Sequence, residues 1–144
     1  MTQPRPFAKA LDRLRAAGLR PTRQRLALVR LLFEHGDRHI TAEQLHDEAR
    51  AADIDVSLAT IYNTLHQFTQ SGLLREVVVE AGRSYFDTNT RLHHHFFHEE
   101  SGRLEDISGE KVRVADIPSA PEGSEIARVD VIIRLRPDGS SRLS

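Results

Sequence analysis

A chain of 144 residues and 16.3 kDa, 39% hydrophobic and 28% charged, has room for one ordinary domain or two very small ones, which excludes a large multidomain enzyme. No cysteine is present, so disulfides, thiolate catalysis, iron-sulfur clusters and cysteine-ligated zinc are excluded together, and any metal must sit on His, Asp and Glu. The net charge of -1 conceals a basic front: residues 1–30 carry Arg5, Lys9, Arg13, Arg15, Arg20, Arg23, Arg25 and Arg30 against Asp12 alone, a net of +7, while residues 31–80 sum to -6.

A basic patch on a near-neutral protein is the footprint of a polyanion, because phosphate contacts release counterions and supply most sequence-independent DNA affinity. A merely solvated arginine-rich helix face is the plain alternative. The N-terminal stretch lacks the basic, apolar and small-residue segments of a secretory signal, and no apolar run approaches the roughly 18 residues of a membrane span. A cytoplasmic protein with no membrane partner is therefore expected.

The first half reads as helices with clear punctuation. Phe7, Ala10, Leu11 and Leu14 recur at helical spacing and Gly18 supplies a left-handed stop. Pro21 and Thr22 open a second helix with the apolar stripe Leu26, Val29, Leu32 and Phe33, closed by Gly36. Thr41-Ala42-Glu43-Gln44 fits a capping box and starts a third helix that buries Leu45 and Ala49 and runs to about Ala52.

Ser57 caps a fourth helix, Leu58 to about Ser71, whose core face is Leu58, Ile61, Leu65 and Phe68. The opposite face carries Ala59, Thr60, Tyr62, Asn63, His66 and Gln67. It is small and polar with little charge, a surface that can enter a major groove, where Thr, Asn and Gln read base edges. Leu73–Val79 and Ser84–Asp87 then read as two strands around a turn with Arg83 at its tip. Helices followed by such a ribbon make a winged helix-turn-helix.

A polar hinge at Thr88–Arg91 leads to a smaller unit. Leu92–Phe97 and Arg103–Ile107 are predicted strands around Glu100-Ser101-Gly102, Ser108–Val114 a short helix, and Ala127–Leu135 a final strand. So few residues form a thin core that is expected to complete itself by pairing with a copy. Four of the eight histidines fall in His93-His94-His95-Phe96-Phe97-His98. Strand alternation sends His93 and His95 to one face and His94 to the other, so two could share one ion. Imidazole suits zinc, iron, manganese and haem alike. His39 and Asp87 are candidate further ligands. No HExxH helix, phosphate-binding glycine loop or GxSxG elbow occurs, so no enzyme is expected.

The ordered motifs Gly18-Leu19-Arg20-Pro21-Thr22-Arg23-Gln24-Arg25, His39-Ile40-Thr41-Ala42-Glu43, Ala59-Thr60-Ile61-Tyr62-Asn63-Thr64-Leu65, Ser71-Gly72-Leu73 and His93-His94-His95 resemble the ferric uptake regulator (Fur) family. The likeness spans about Leu11–Leu135. Within the family, Tyr62-Asn63-Thr64-Leu65, the Leu92–Phe97 run and Arg128–Leu135 look most like the iron response regulators (Irr) of alphaproteobacteria.

The resemblance implies an α+β chain: a winged-helix DNA-binding domain over residues 1–88 and an α/β dimerisation and ligand-sensing domain over 89–144. It implies a homodimer on double-stranded promoter DNA, with Tyr62 against the duplex, Ser57, Ala59 and Thr60 near base edges, and Arg20 on phosphate or in the minor groove; Asn63 of the polar helix face and Arg83 at the ribbon tip are further DNA-binding candidates. A divalent metal (iron, manganese or zinc) would use His39, Asp87, His93 and His95. Haem, the effector of Irr-type members, would fall to His93, His94 or His95.

Departures accompany the matches. His98 and Ser101 stand where many members have the first of two CxxC pairs, and the second pair is absent, so that zinc site is missing. Leu92 and Arg113 replace ligands of the dimerisation-domain site, leaving only His94 there. The expected function is regulation of iron and haem homeostasis. The alternatives are a Fur-like repressor answering to manganese, zinc or ferrous iron, and a haem- or metal-handling protein without DNA function.

Overall fold

The computed structural model describes residues 7–140; Arg5 of the basic front lies outside them. The fold divides into two compact units between Thr90 and Arg91, each with its own three-stranded sheet. The fold class is α+β.

The first unit runs α1 (Ala8–Ala16), α2 (Arg23–Phe33), β1 (His39–Ile40), α3 (Ala42–Ala51), α4 (Leu58–Gln70), β2 (Arg75–Glu80) and β3 (Arg83–Asp87). Local chemistry sets the boundaries. Gly18 takes φ +73° after α1, where a side chain would be strained. Thr22 accepts the Arg25 N–H at 3.1 Å to start α2. The capping box of α3 is complete: Gln44 N–H donates to Thr41 Oγ1 at 3.1 Å and Thr41 N–H to Gln44 Oε1 at 2.9 Å. Ser57 Oγ accepts the Thr60 N–H at 3.1 Å and caps α4.

One apolar cluster fills this unit, drawn from Leu14, Leu28, Val29, Leu32, Leu45, Ala49, Ile61, Leu65 and Phe68 with Ile40 and Phe86 of the sheet. Each large side chain contributes about 1.5–3 kcal/mol by leaving water. The stripes differ from the expected ones in detail. In α2, Leu28 is buried while Leu26 and Phe33 are only half-buried. Phe7 stays 43% exposed, with the Arg30 guanidinium 4.8 Å from its ring centre, and Arg13 covers Phe33 at 4.2 Å. Cation–π stacking shields these rings without core burial. In α4, Thr64 is buried and Leu58 is not, because Leu58 sits in the first turn, at the rim of the cluster.

The ribbon gains a third strand that periodicity did not reveal. The sheet order is β1-β3-β2, all antiparallel. Two residues are too short to show alternation, and β1 exists only because β3 offers it an edge.

The second unit contains β4 (His93–His98), β5 (Arg103–Ser108), a single 3-10 turn at Gly109–Lys111 and β6 (Ile132–Leu135). Its order is β5-β4-β6, with β4 antiparallel to β5 and parallel to β6. The helix expected over Ser108–Val114 shrinks to that turn, since β5 runs on through Ser108 and Val112 is already extended. The last strand starts at Ile132 rather than Ala127, because β4 offers it partners only from His95 to His98. Phe97, Leu104 and Ile107 are buried, whereas Val114, Ile117, Ile126 and Ile133 are exposed. Among the described residues no helix is long and apolar enough to cross a membrane.

Candidate functional site

In the first unit, α4 presents its polar face outward. Tyr62 is 37% exposed, and Ser57, Ala59 and Asn63 are exposed, with Thr60 half-buried against Ser57, whose hydroxyl donates to Thr60 Oγ1 at 2.9 Å. Arg25 ties the basic front to this helix: its guanidinium donates to the Arg20 carbonyl at 2.8 Å and to Gln67 Oε1 at 2.9 Å. Arg20, Arg23 and the Arg83 tip of the β2–β3 ribbon are exposed. A cavity of about 290 Å³ separates Tyr62 and His66 of α4 from Arg83 and Ser84 of the ribbon. The arrangement offers a small polar helix face flanked by cations.

Glu43 belongs to this surface and was not singled out from sequence. The Tyr62 hydroxyl donates to Glu43 Oε1. That bond, with a backbone hydrogen bond of its own, holds Glu43 below the ordinary carboxylate range and pushes the Tyr62 phenol up. Nothing in the capping-box pattern announces that its third residue reaches another helix.

The same unit carries two of the four expected metal ligands. His39 and Asp87 are direct partners across β1 and β3, with Nε2 and Oδ2 3.7 Å apart. Asp87 is 1% exposed, and its Oδ1 accepts the Asn89 N–H at 2.9 Å, which turns Oδ2 toward His39. Arg38 pins β1 beside it. Its N–H donates to Thr88 Oγ1 at 2.9 Å, its carbonyl accepts the Thr88 N–H at 3.0 Å, and its guanidinium makes a two-pronged pair with Glu48.

The second unit carries the other two. His93 Nε2 and His95 Nε2 lie 3.5 and 3.3 Å from the same atom, Asp106 Oδ1, with ring centres 4.6 Å apart. His93 Nδ1 is 2.6 Å from the Arg91 carbonyl. A carbonyl only accepts, so Nδ1 carries a proton and Nε2 is the ring atom turned toward Asp106, the orientation that metal-ligating histidines take. Two imidazole nitrogens and one carboxylate oxygen brought this close are donors that can hold a cation, and a ring N–H donating to Asp106 satisfies the same geometry without one.

Asp106 escaped the sequence reading, although a signal was present. The tight turn pairs His98 with Arg103, and stepping back along the hairpin brings His95 opposite Asp106. His94 does point the other way. Its Nδ1 accepts the Val131 N–H at 3.1 Å, which commits that nitrogen to holding the approach to β6. The structure therefore joins His93 and His95 and separates His94 from them. At the positions of the missing first CxxC, His98 instead bonds Glu105 at 3.0 Å. With Arg103, it holds that carboxyl below its usual range.

Comparison with known proteins accords with this geometry. The profile of the ferric uptake regulator family matches residues 16–133. The chain belongs to the ferric uptake regulator family. The peroxide-responsive repressor PerR of Staphylococcus aureus is 35% identical over 99 residues, which cover 69% of this chain and 66% of that protein. The chain thus spans just under two thirds of that relative's length. Among solved structures, the ferric uptake regulator of Pseudomonas aeruginosa with manganese is 25% identical, with a TM-score of 0.67 over 90% of this chain and 98% of that one. The Helicobacter pylori regulator, described as having three functional metal-binding sites, superposes at a TM-score of 0.67 over 98% and 97% of the two chains, with 16% identity. That likeness speaks for the fold. Fur-family proteins are regulators rather than enzymes.

Proposed function

We propose that this Fur-family chain is a dimeric transcription regulator that binds promoter DNA and answers to a divalent metal. The observation that carries metal control is the convergence of His93 and His95 on Asp106. His39 and Asp87 of the first unit, and His93, His95 and Asp106 of the second, are imidazole and carboxylate donors without thiolate, a chemistry that suits ferrous iron, manganese or zinc.

Tyr62, Asn63, Thr60, Ala59 and Ser57 are the groove-facing set in this reading, and Arg20 and Arg83 the phosphate or minor-groove contacts. Support comes from the exposed polar face of α4 and its arginine flanks. The exposed Val114, Ile117, Ile126 and Ile133 of the second unit support a second copy as their cover. A titration of labelled promoter duplex with the protein, with and without manganese, iron or zinc, tests this reading. Metal-dependent binding with a steep salt slope, lost in His93→Ala/His95→Ala, is expected. Binding to no duplex at any salt would instead make the chain a metal-handling protein.

The finer reading is an iron- and haem-responsive regulator of the Irr type. It rests on the Tyr62-Asn63 pair, the His93-His94-His95 run and the lack of cysteine. Because His94 Nδ1 is committed to Val131, His93 is the better placed haem ligand of that run. Loss of DNA binding at stoichiometric haem, with a Soret shift abolished by His93→Ala, is the expected sign. A peroxide-responsive repressor is the second reading, favoured by the 35% identity to PerR. It predicts release of DNA by peroxide from the iron-loaded protein and indifference to haem.

A further inference from the structure

His39, Asp87 and Arg75 form one row across the first unit's sheet: Asp87 of β3 pairs with His39 of β1 on one side and with Arg75 of β2 on the other. Direct partners on antiparallel strands point to the same face, with Cβ atoms about 4.5–5.5 Å apart. Arg75 is 5% exposed and Asp87 1% exposed. The same face continues through buried Val77, Val79 and Tyr85, so water and salt screen this row little.

A guanidinium cannot give up its proton, and a buried carboxylate needs a counter-charge. A histidine that offers its lone pair to a metal is neutral and supplies none. Within the row, that leaves Arg75 as the permanent cation beside Asp87. A divalent ion arriving at the same carboxylate must compete with it and bear its repulsion.

We propose that Arg75 sets the metal affinity of this site, acting as a built-in competitor for Asp87 that raises the metal concentration needed for loading. Arg75 is a positioning and tuning residue, not a ligand. The proposal rests on the metal reading given above, and its logic requires charge rather than shape.

The test is manganese affinity of the full chain, read by competition with a fluorescent chelator, for the wild type, Arg75→Met and Arg75→Lys. Neutral Met is expected to tighten binding about 10–100-fold, the range over which residues beyond the ligands tune metal sites. Lys, which keeps the charge, is expected to stay close to the wild type. Thermal unfolding supplies a second readout: Arg75→Met destabilises the metal-free protein, and manganese restores it by more than it raises the wild type. If Arg75→Met fails to fold, Arg75→Gln, which keeps donors for Asp87, carries the same expectation. Unchanged or weaker manganese binding in a folded neutral variant overturns the proposal while leaving the site in place. A wild type that binds no manganese, iron or zinc overturns the site reading and the proposal with it.

Discussion

Asp106 lies directly opposite His95 across the β4–β5 hairpin, and its Oδ1 is within 3.5 Å of both His95 Nε2 and His93 Nε2. The tight turn fixes this register, so the hairpin alone brings these three candidate ligands together. Replacing Asp106 by Asn keeps the shape and removes the charge. Manganese or iron affinity is expected to fall by at least about tenfold, measured by chelator competition, while the unfolding midpoint of the metal-free protein moves little. Unaltered affinity would remove Asp106 from the ligand set.

Tyr62 tests the proposed DNA surface. Tyr62→Ala is expected to weaken promoter binding while leaving metal affinity at the wild-type level. Anisotropy with labelled duplex and a parallel metal titration read the two separately. Unchanged DNA affinity would mean that α4 is not the docking helix.

The Glu43–Tyr62 hydrogen bond gives a pH dependence with a definite sign. Glu43 is held below its ordinary value in the folded chain. Its contribution to stability is therefore full above the unfolded carboxylate pKa and is lost as pH falls through the lowered folded value. The stability gap between wild type and Glu43→Ala should close in acid and be constant from mildly acidic to neutral pH, as read by denaturant midpoints. A gap that widens in acid would contradict the assignment. The pair is solvent-exposed, so the gap is small.

Arg38 joins three segments, donating to Leu31 O at 3.2 Å, pairing with Glu48 and exchanging backbone and side-chain bonds with Thr88. Glu48→Ala is expected to cost about 1–2 kcal/mol, since a two-pronged charged pair exceeds an ordinary surface bridge. It should also weaken metal binding through looser placement of His39. Chemical denaturation and metal titration check the two effects. An effect on stability alone would confine Arg38 to a structural role.

Gly109 is fixed by close approach: a Cβ there would stand 2.7 Å from the Leu92 carbonyl oxygen. Gly109→Ala must push back the entry to β4, next to His93, and is expected to destabilise by about 1–3 kcal/mol. A thermal midpoint equal to the wild type would show that the strand entry yields freely.

Much of the first unit was legible because its signals are local. The Thr41 box, the Ser57 cap and the spacing of Ile61, Leu65 and Phe68 each lie within a few residues of what they determine. The alternation that separates His93 and His95 from His94 was equally local. By contrast, β1 is two residues long and has no period to read. Arg75 carries no pattern of its own, Asp106 is reached only by counting back along the hairpin from its turn, and Glu43 was hidden inside a cap.

The sequence by itself determined the four helices of the first unit, the caps at Thr22, Thr41 and Ser57, the basic front and the chemical type of any metal site, since with no cysteine only imidazole and carboxylate remain. It also determined that the histidine run would split between two faces. Only the tertiary structure decided the partners: Asp87 beside both His39 and Arg75, Asp106 beneath His93 and His95, and Glu43 on Tyr62. Periodicity states which face a residue occupies. Register and packing between segments far apart in the chain state what it meets there, and charge, ligation and hydrogen bonding depend on that meeting.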